Sequence, residues 1–286
     1  MIVVGYLSSL SLFLAVTCII EVYMILSWLK FLKKISLTVV MVLLFSGCTV
    51  NKTKLPPDLD SLKSSETGRL PEFDSKDGYP DFVALVQAYP QEKSYVFAND
   101  KMIFKKTRKL KDTQIWKDAA RFAEINPEIL SAYFSPVMSK PITKENTPWT
   151  YYLVARLIAD VASFGTRGLK NYYKRVRPYV YFNTETCSTK NDEEDHRQTY
   201  SYPSTHSTYG QALALVLSEI DPASQAGIIK KGADYGFFRV VCGFHWNSDV
   251  ELGRIVASYV VARLHSNAEF SEALKYAKEE YRSLQK

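Results

Sequence analysis

Histidine, cysteine and long apolar runs are scarce in this chain of 286 residues, which holds four histidines and four cysteines. Beyond Cys48 no apolar run comes near the roughly 20 residues that a membrane helix needs, and charges interrupt every helical pattern there. That argues against a multi-span membrane enzyme, because lipid offers polar groups no partner. A long basic block is also missing: the net charge of +6 is spread among acids, so a nucleic-acid partner is not expected. A mild positive excess favours anionic substrates only weakly. No clustered His/Asp/Glu set is present, so neither a metal nor another cofactor is expected. Internal repeats are absent and strand-like alternation is rare, its best example being the short run Tyr179–Phe182.

What is present divides the chain into three expected parts. Residues 1–48 read as an export signal or membrane anchor: an apolar run over residues 2–20, a basic patch at Lys30, Lys33 and Lys34, an apolar stretch Ile35–Phe45, then Ser46-Gly47-Cys48. The ending resembles a bacterial lipobox, which makes Cys48 a lipidation candidate and the protein an exported, periplasmic or outer-membrane-anchored lipoprotein. Two genuine membrane helices, or translation from Met24, are the alternatives. Residues 49–85, rich in Lys, Asp, Ser, Pro and Gly, read as a tether with an extended lead into the domain. Residues 86–286 carry apolar spacings of three and four through 96–125, 147–169, 206–220, 224–242 and 249–266, followed by an amphipathic tail at 267–284. Helix starts are expected at Asp112-Thr113, Thr147-Pro148 and Asp221-Pro222. The expected fold is all-α, a single helical bundle. Cys187 and Cys242, an even pair in an exported chain, are a disulfide candidate.

Three segments concentrate chemistry-bearing residues. In the first, Lys170 and Arg177 are seven apart before Pro178, so on a helix they share a face and make a phosphate clamp. In the second, Ser201-Tyr-Pro-Ser-Thr-His206 opens a helical run, placing His206 in the first turn beside free backbone N–H groups that attract anions. In the third, Arg239 precedes His245 and Asp249, which are four apart; a carboxylate at that spacing fixes the imidazole tautomer and leaves one nitrogen nucleophilic. Taken singly, each has an ordinary structural reading: a solvated basic face, a well-capped helix, a satisfied His–Asp pair.

In combination they are far more specific. Lys-x6-Arg-Pro, Pro-Ser-x-His and Arg-x5-His-x3-Asp, in that order, resemble the signature of the type-2 phosphatidic acid phosphatase and vanadium haloperoxidase superfamily. Phe97–Lys101, Ser139–Thr143, Arg177-Pro-Tyr and Val241–Val250 look like its bacterial class A non-specific acid phosphatases, over roughly residues 85–280. That resemblance implies metal-independent hydrolysis of phosphate monoesters. His245 would be the nucleophile, Asp249 its orienting partner and His206 the acid and base. Lys170, Arg177, Arg239, Ser204 and amides near Thr205 would hold the phosphate. His196 and His265 fall outside the motifs and read as surface residues.

Two positions depart from the family pattern. Thr205 replaces the glycine of Pro-Ser-Gly-His, and Phe238 replaces the serine before the third-motif arginine. Both were expected to sit against the substrate. The competing readings are a lipid or diphosphate phosphatase, a haloperoxidase, and a lipoprotein that keeps the fold as a binding module. Small phosphorylated molecules are the expected partners, with membrane attachment through the N-terminus and a possible homo-oligomer.

Overall fold

The structure is a computed structural model and describes residues 54–74 and 81–282. The readings at Cys48, Met24 and the N-terminal apolar runs lie outside those residues. Among the described residues every regular element is helical and no strand occurs.

In chain order the helices are α1 (Leu59–Leu62), α2 (Phe82–Leu85), α3 (Tyr95–Arg108), α4 (Gln114–Arg121) and α5 (Pro127–Phe134). Next come α6 (Pro148–Asp160), which runs through a π-helical stretch Val161–Thr166 into α7 (Arg167–Tyr173), then α8 (Pro178–Tyr181) and α9 (Lys190–Arg197). Four long helices complete the bundle: α10 (Thr205–Ile220), α11 (Gln225–Cys242), α12 (Asn247–Leu264) and α13 (Ala268–Arg282). None of the described helices is long and apolar enough to cross a membrane.

Helix α10 is the centre of the bundle. It packs against both α11 and α12, burying Leu213, Val216, Leu217 and Ile220, while α13 covers α6 with Phe270, Leu274 and Tyr281. The α10–α11 approach depends on small residues. A Cβ on Gly232 would lie 2.5 Å from both the Gly210 carbonyl oxygen and Ala214 Cβ, closer than real contacts allow.

Several expectations change in detail. The helical pattern over 96–125 is two helices, separated by a turn in which Asp112 adopts φ 66°. Thr147 precedes α6 as expected, but the free N–H groups of Trp149 and Thr150 donate to the Glu280 carboxylate on α13, at 2.7 and 3.0 Å. Tyr179–Phe182 is not a strand. Pro178 opens the helical turn α8, and Tyr181 and Phe182 donate backbone bonds to the Arg177 and Pro178 carbonyls. Helix α5 went unread although Asn126-Pro127 is a start signal, and the Asn126 side chain accepts from Ile129 N at 2.8 Å.

The supposed tether is partly structural. Arg156 donates to the carbonyls of Pro71 and Glu72, Phe73 N donates to Asp160, and Phe73 and Phe82 are buried in the core. Composition hid this, because two aromatic anchors fasten an otherwise polar segment.

Candidate active site

The three motif segments meet at one cavity of ≈370 Å³. Lys170 arrives on α7, Arg177 on the extended stretch before α8, Thr205 and His206 on the first turn of α10, Arg239 on α11, and His245 on the loop between α11 and α12. The residues Ala123–Ile125 after α4 form one wall, and Asp192 and His196 of α9 form the mouth. A larger cavity of ≈810 Å³ lies beside residues 59–72 and contains no histidine, so the chemistry belongs to the smaller one.

Local backbone rules set each position. Lys170 and Arg177 do not share a helix face. Helix α7 ends at Tyr173, Lys174 is left-handed with φ 50°, and Arg177 is extended (φ −70°, ψ 148°), as the residue before a proline prefers. The two cations still converge, because the chain turns between them. Helix α11 ends at Gly243, whose φ of +91° suits glycine. A Cβ there would also lie 2.6 Å from Arg108 Nη1, and the Arg108 guanidinium donates to the carbonyls of Val240, Val241 and Cys242. The turn aims His245 back at the cavity, with the backbone N–H groups of Phe244 and His245 on the Arg239 carbonyl.

Arg177 Nη1 lies 3.1 Å from His245 Nε2. A guanidinium can only donate, so Nε2 is the lone-pair nitrogen and the ring proton sits on Nδ1. Nδ1 is 3.4 Å from Asp249 Oδ2, an ion-pair distance at which no aligned hydrogen bond forms. Asp249 is fully buried at the third position of α12; Oδ2 accepts from Trp246 N at 2.8 Å and Oδ1 from Arg175 Nη1 at 2.5 Å. His206 Nε2 is 2.7 Å from the Ala123 carbonyl, which only accepts, so this ring carries its proton on Nε2. Each ring thus has one nitrogen fixed by its neighbour, a lone pair on His245 Nε2 and a proton on His206 Nε2.

Electrostatics follow from burial. Desolvation, followed by the charge of Arg177, holds Lys170 well below the usual lysine range. Arg177 and Arg239 are lowered to about 10 by burial. His245 falls well below its ordinary value, first through burial and then through Arg177, Lys170 and Arg239; His206 falls through burial, then Arg239. Burial raises Asp249, and Arg175 opposes that rise. Lys170, Arg177 and Arg239 thus crowd one cavity, where a phosphate dianion would stabilise their charged forms. Among the described residues no group of three or more His, Cys, Asp or Glu could hold a metal ion.

Some site residues differ from expectation. Ser204 is completely buried and does not line the cavity; its oxygen caps α10 by accepting from Ser207 N at 3.3 Å. Phe238 also faces away, stacking on Phe122 and meeting Tyr133 edge-on, so the change from serine enlarges the core and not the pocket wall. His196 is half-exposed but lines the mouth, its Nδ1 2.8 Å from the Asp192 carbonyl. His265 stays on the surface beside Glu219. Cys187 and Cys242 are joined in a disulfide that fastens the loop leading to α9 to the end of α11.

Sequence reasoning missed the support beneath His245. Arg175, buried between two carboxylates, donates to Asp100 at 2.8 Å as well as to Asp249, and Ser248 bonds to both Arg175 and Asp100. Four aromatic rings, of Tyr89, Phe97, Tyr202 and Trp246, surround its guanidinium. The signal was there: Asp100 lies in the family-like stretch Phe97–Lys101, and Arg175 lies inside the first motif.

Comparison with known proteins agrees with this geometry. The PAP2 superfamily profile matches residues 148–270, which contain all three motifs. The chain is 39% identical over 236 residues to the non-specific acid phosphatase of Providencia stuartii, covering 82% of this chain and 90% of that protein. It is 39% identical over 181 residues to the non-specific acid phosphatase of Salmonella typhimurium, covering 63% and 72%. It is also 32% identical over 191 residues to the acid phosphatase of Zymomonas mobilis, covering 67% and 72%. With its motif residues gathered on one buried cationic cavity, the chain belongs to the PAP2 superfamily, among its class A-like bacterial acid phosphatases.

Proposed function

We propose that this acid phosphatase hydrolyses phosphate monoesters through a phosphohistidine on Nε2 of His245, without a metal ion. The observation that carries the reading is the contact between Arg177 and His245 Nε2, which fixes the lone pair on the nitrogen that faces the cations. The phosphoryl oxygens rest on Lys170, Arg177, Arg239 and the first amides of α10. Nε2 forms the N–P bond as the ester P–O bond breaks, and the departing alcohol oxygen takes a proton from His206. Water then attacks phosphorus, gives a proton to His206 and releases phosphate as the N–P bond breaks. Asp249 holds the positive charge that the His245 ring acquires while phosphorylated.

Burial makes His206 a poor proton carrier in the absence of an anion, because it keeps the ring neutral. A bound dianion shifts that balance toward the charged acid, so substrate binding arms the proton donor. The test is rapid-mix hydrolysis of p-nitrophenyl phosphate by protein starting at residue 49. The wild-type chain should show a burst of alcohol release with a phosphoenzyme that survives alkaline quenching and is lost in acid, whereas His245→Ala should trap none. A normal burst in that variant would rule out His245 as nucleophile.

A further inference from the structure

Thr205 stands where the family pattern has glycine, at the first position of α10, and it is one of the residues that line the cavity. Without a partner, a β-branched side chain there has rotamers that project toward the space in which the α10 amides meet an anion. In the structure its hydroxyl is taken: Thr205 Oγ1 donates to Thr166 Oγ1 at 3.1 Å.

Thr166 is not an incidental neighbour. It is buried, only 2% exposed, and it is the last residue of the π-helical stretch Val161–Thr166. Widened turns of that kind recur at functional sites, since they shift one residue out of the regular helical register. Thr166 also occupies the N-cap position of α7, yet its side chain makes no capping bond; its φ of −131° departs from the helix on either side. Four residues further on, α7 presents Lys170 to the cavity. One hydroxyl–hydroxyl bond therefore joins the start of the helix that carries Lys170 to the start of the helix that carries His206. Gly165, beside it, packs closely on α12: a Cβ there would lie 3.3 Å from Val260.

We propose that Thr166 is a positioning residue that pins the Thr205 side chain away from the phosphate, compensating within this chain for the loss of the glycine. The inference rests on the proposed function, in that the cavity must receive the phosphoryl group. Thr166 itself touches no substrate. It keeps the Thr205 backbone N–H accessible and fixes the spacing between Lys170 and the first turn of α10.

A double-mutant cycle with inorganic vanadate as the probe tests this. Thr166→Val preserves shape and removes the acceptor. It should weaken vanadate inhibition and raise KM for p-nitrophenyl phosphate about five- to tenfold, the scale of one lost hydrogen bond. When Thr205→Gly is introduced beside it, the penalty of Thr166→Val should shrink below about twofold, since there is no longer a side chain to pin. Thr166→Ser, which keeps the hydroxyl, should restore the affinity that Thr166→Val loses. A Thr166→Val enzyme with unchanged vanadate affinity would overturn the proposal. So would a penalty that persists at full size beside Thr205→Gly, because the residue would then act through the fold alone. If the wild-type chain neither turns over the ester nor binds vanadate, the proposed function itself fails, an outcome distinct from either of these.

Discussion

Arg175 and His245 are both nearly inaccessible, 3% and 4% exposed, yet only the histidine faces the cavity. Arg175 works one layer below. It neutralises Asp100 and Asp249 together, so that Asp249 can remain a carboxylate in a site whose burial favours the acid form. Lysine cannot reproduce this, because one ammonium cannot bridge two carboxylates in the fixed fork that guanidinium provides. Arg175→Lys should therefore lower kcat more than it raises KM, and destabilise the fold by about 3–5 kcal/mol as a broken buried pair. Chemical denaturation and steady-state kinetics check the two parts. An unchanged kcat would mean that Asp249 does not depend on Arg175. His245 and Asp249 stood out in the sequence because their spacing of four is local, and His206 because it follows a helix-start motif. Arg175 was not, because its two partners lie 75 and 74 residues away in the chain.

At the scale of elements, the site is assembled from ends and not from faces. Four of the side chains lining the cavity sit at or within one turn of a helix terminus: Lys170, Arg177, His206 and Arg239. Helix ends carry unpaired backbone groups, and an anion site can use the N–H groups at a start such as that of α10. The Cys187–Cys242 bridge controls a loop-rich stretch of the site, running from Phe182 through α9 to Ser201. Thr199 extends that control: its hydroxyl oxygen accepts from Arg177 Nε and Nη2 at 3.2 and 2.9 Å, and the hydroxyl donates to the His196 carbonyl. Closing a loop of 55 residues stabilises the folded state by on the order of 4 kcal/mol through the unfolded chain. Thiol reduction should accordingly lower the melting temperature by roughly 10 °C. It should also raise KM, because the mouth loses its fastening. Equal melting temperatures for the oxidised and reduced protein would show that the bridge holds nothing.

For the molecule as a whole, the buried cationic cavity makes stability depend on pH in a definite sense. Both His206 and His245 have folded-state pKa values below their unfolded value of 6.5. Below pH 6.5 the unfolded chain therefore binds more protons, and stability falls as pH falls, by up to about 1.4 kcal/mol per pH unit for each ring. Asp249, raised by burial, contributes in the opposite sense across the carboxylate range and offsets part of this loss. Melting temperature should drop between pH 6.5 and 5 in the unliganded protein, and His206→Asn should flatten the slope. Saturating vanadate should flatten it too, since an anion restores the charged rings. A slope identical in the wild type, the variant and the liganded protein would remove the histidines from this account.

The sequence by itself determined the helical class and the three motifs, because these depend on local periodicity and on residues close in the chain. It also determined that Cys187 and Cys242 were available to pair. Tertiary structure alone decided that Lys170 and Arg177 meet at one cavity without sharing a helix, and that Phe238 belongs to the core. It also decided that Thr205 answers to Thr166, 39 residues earlier. The physical reason is common to all three. Where a side chain points once the chain has turned depends on which surfaces pack, and packing joins residues whose separation along the chain carries no periodic signal.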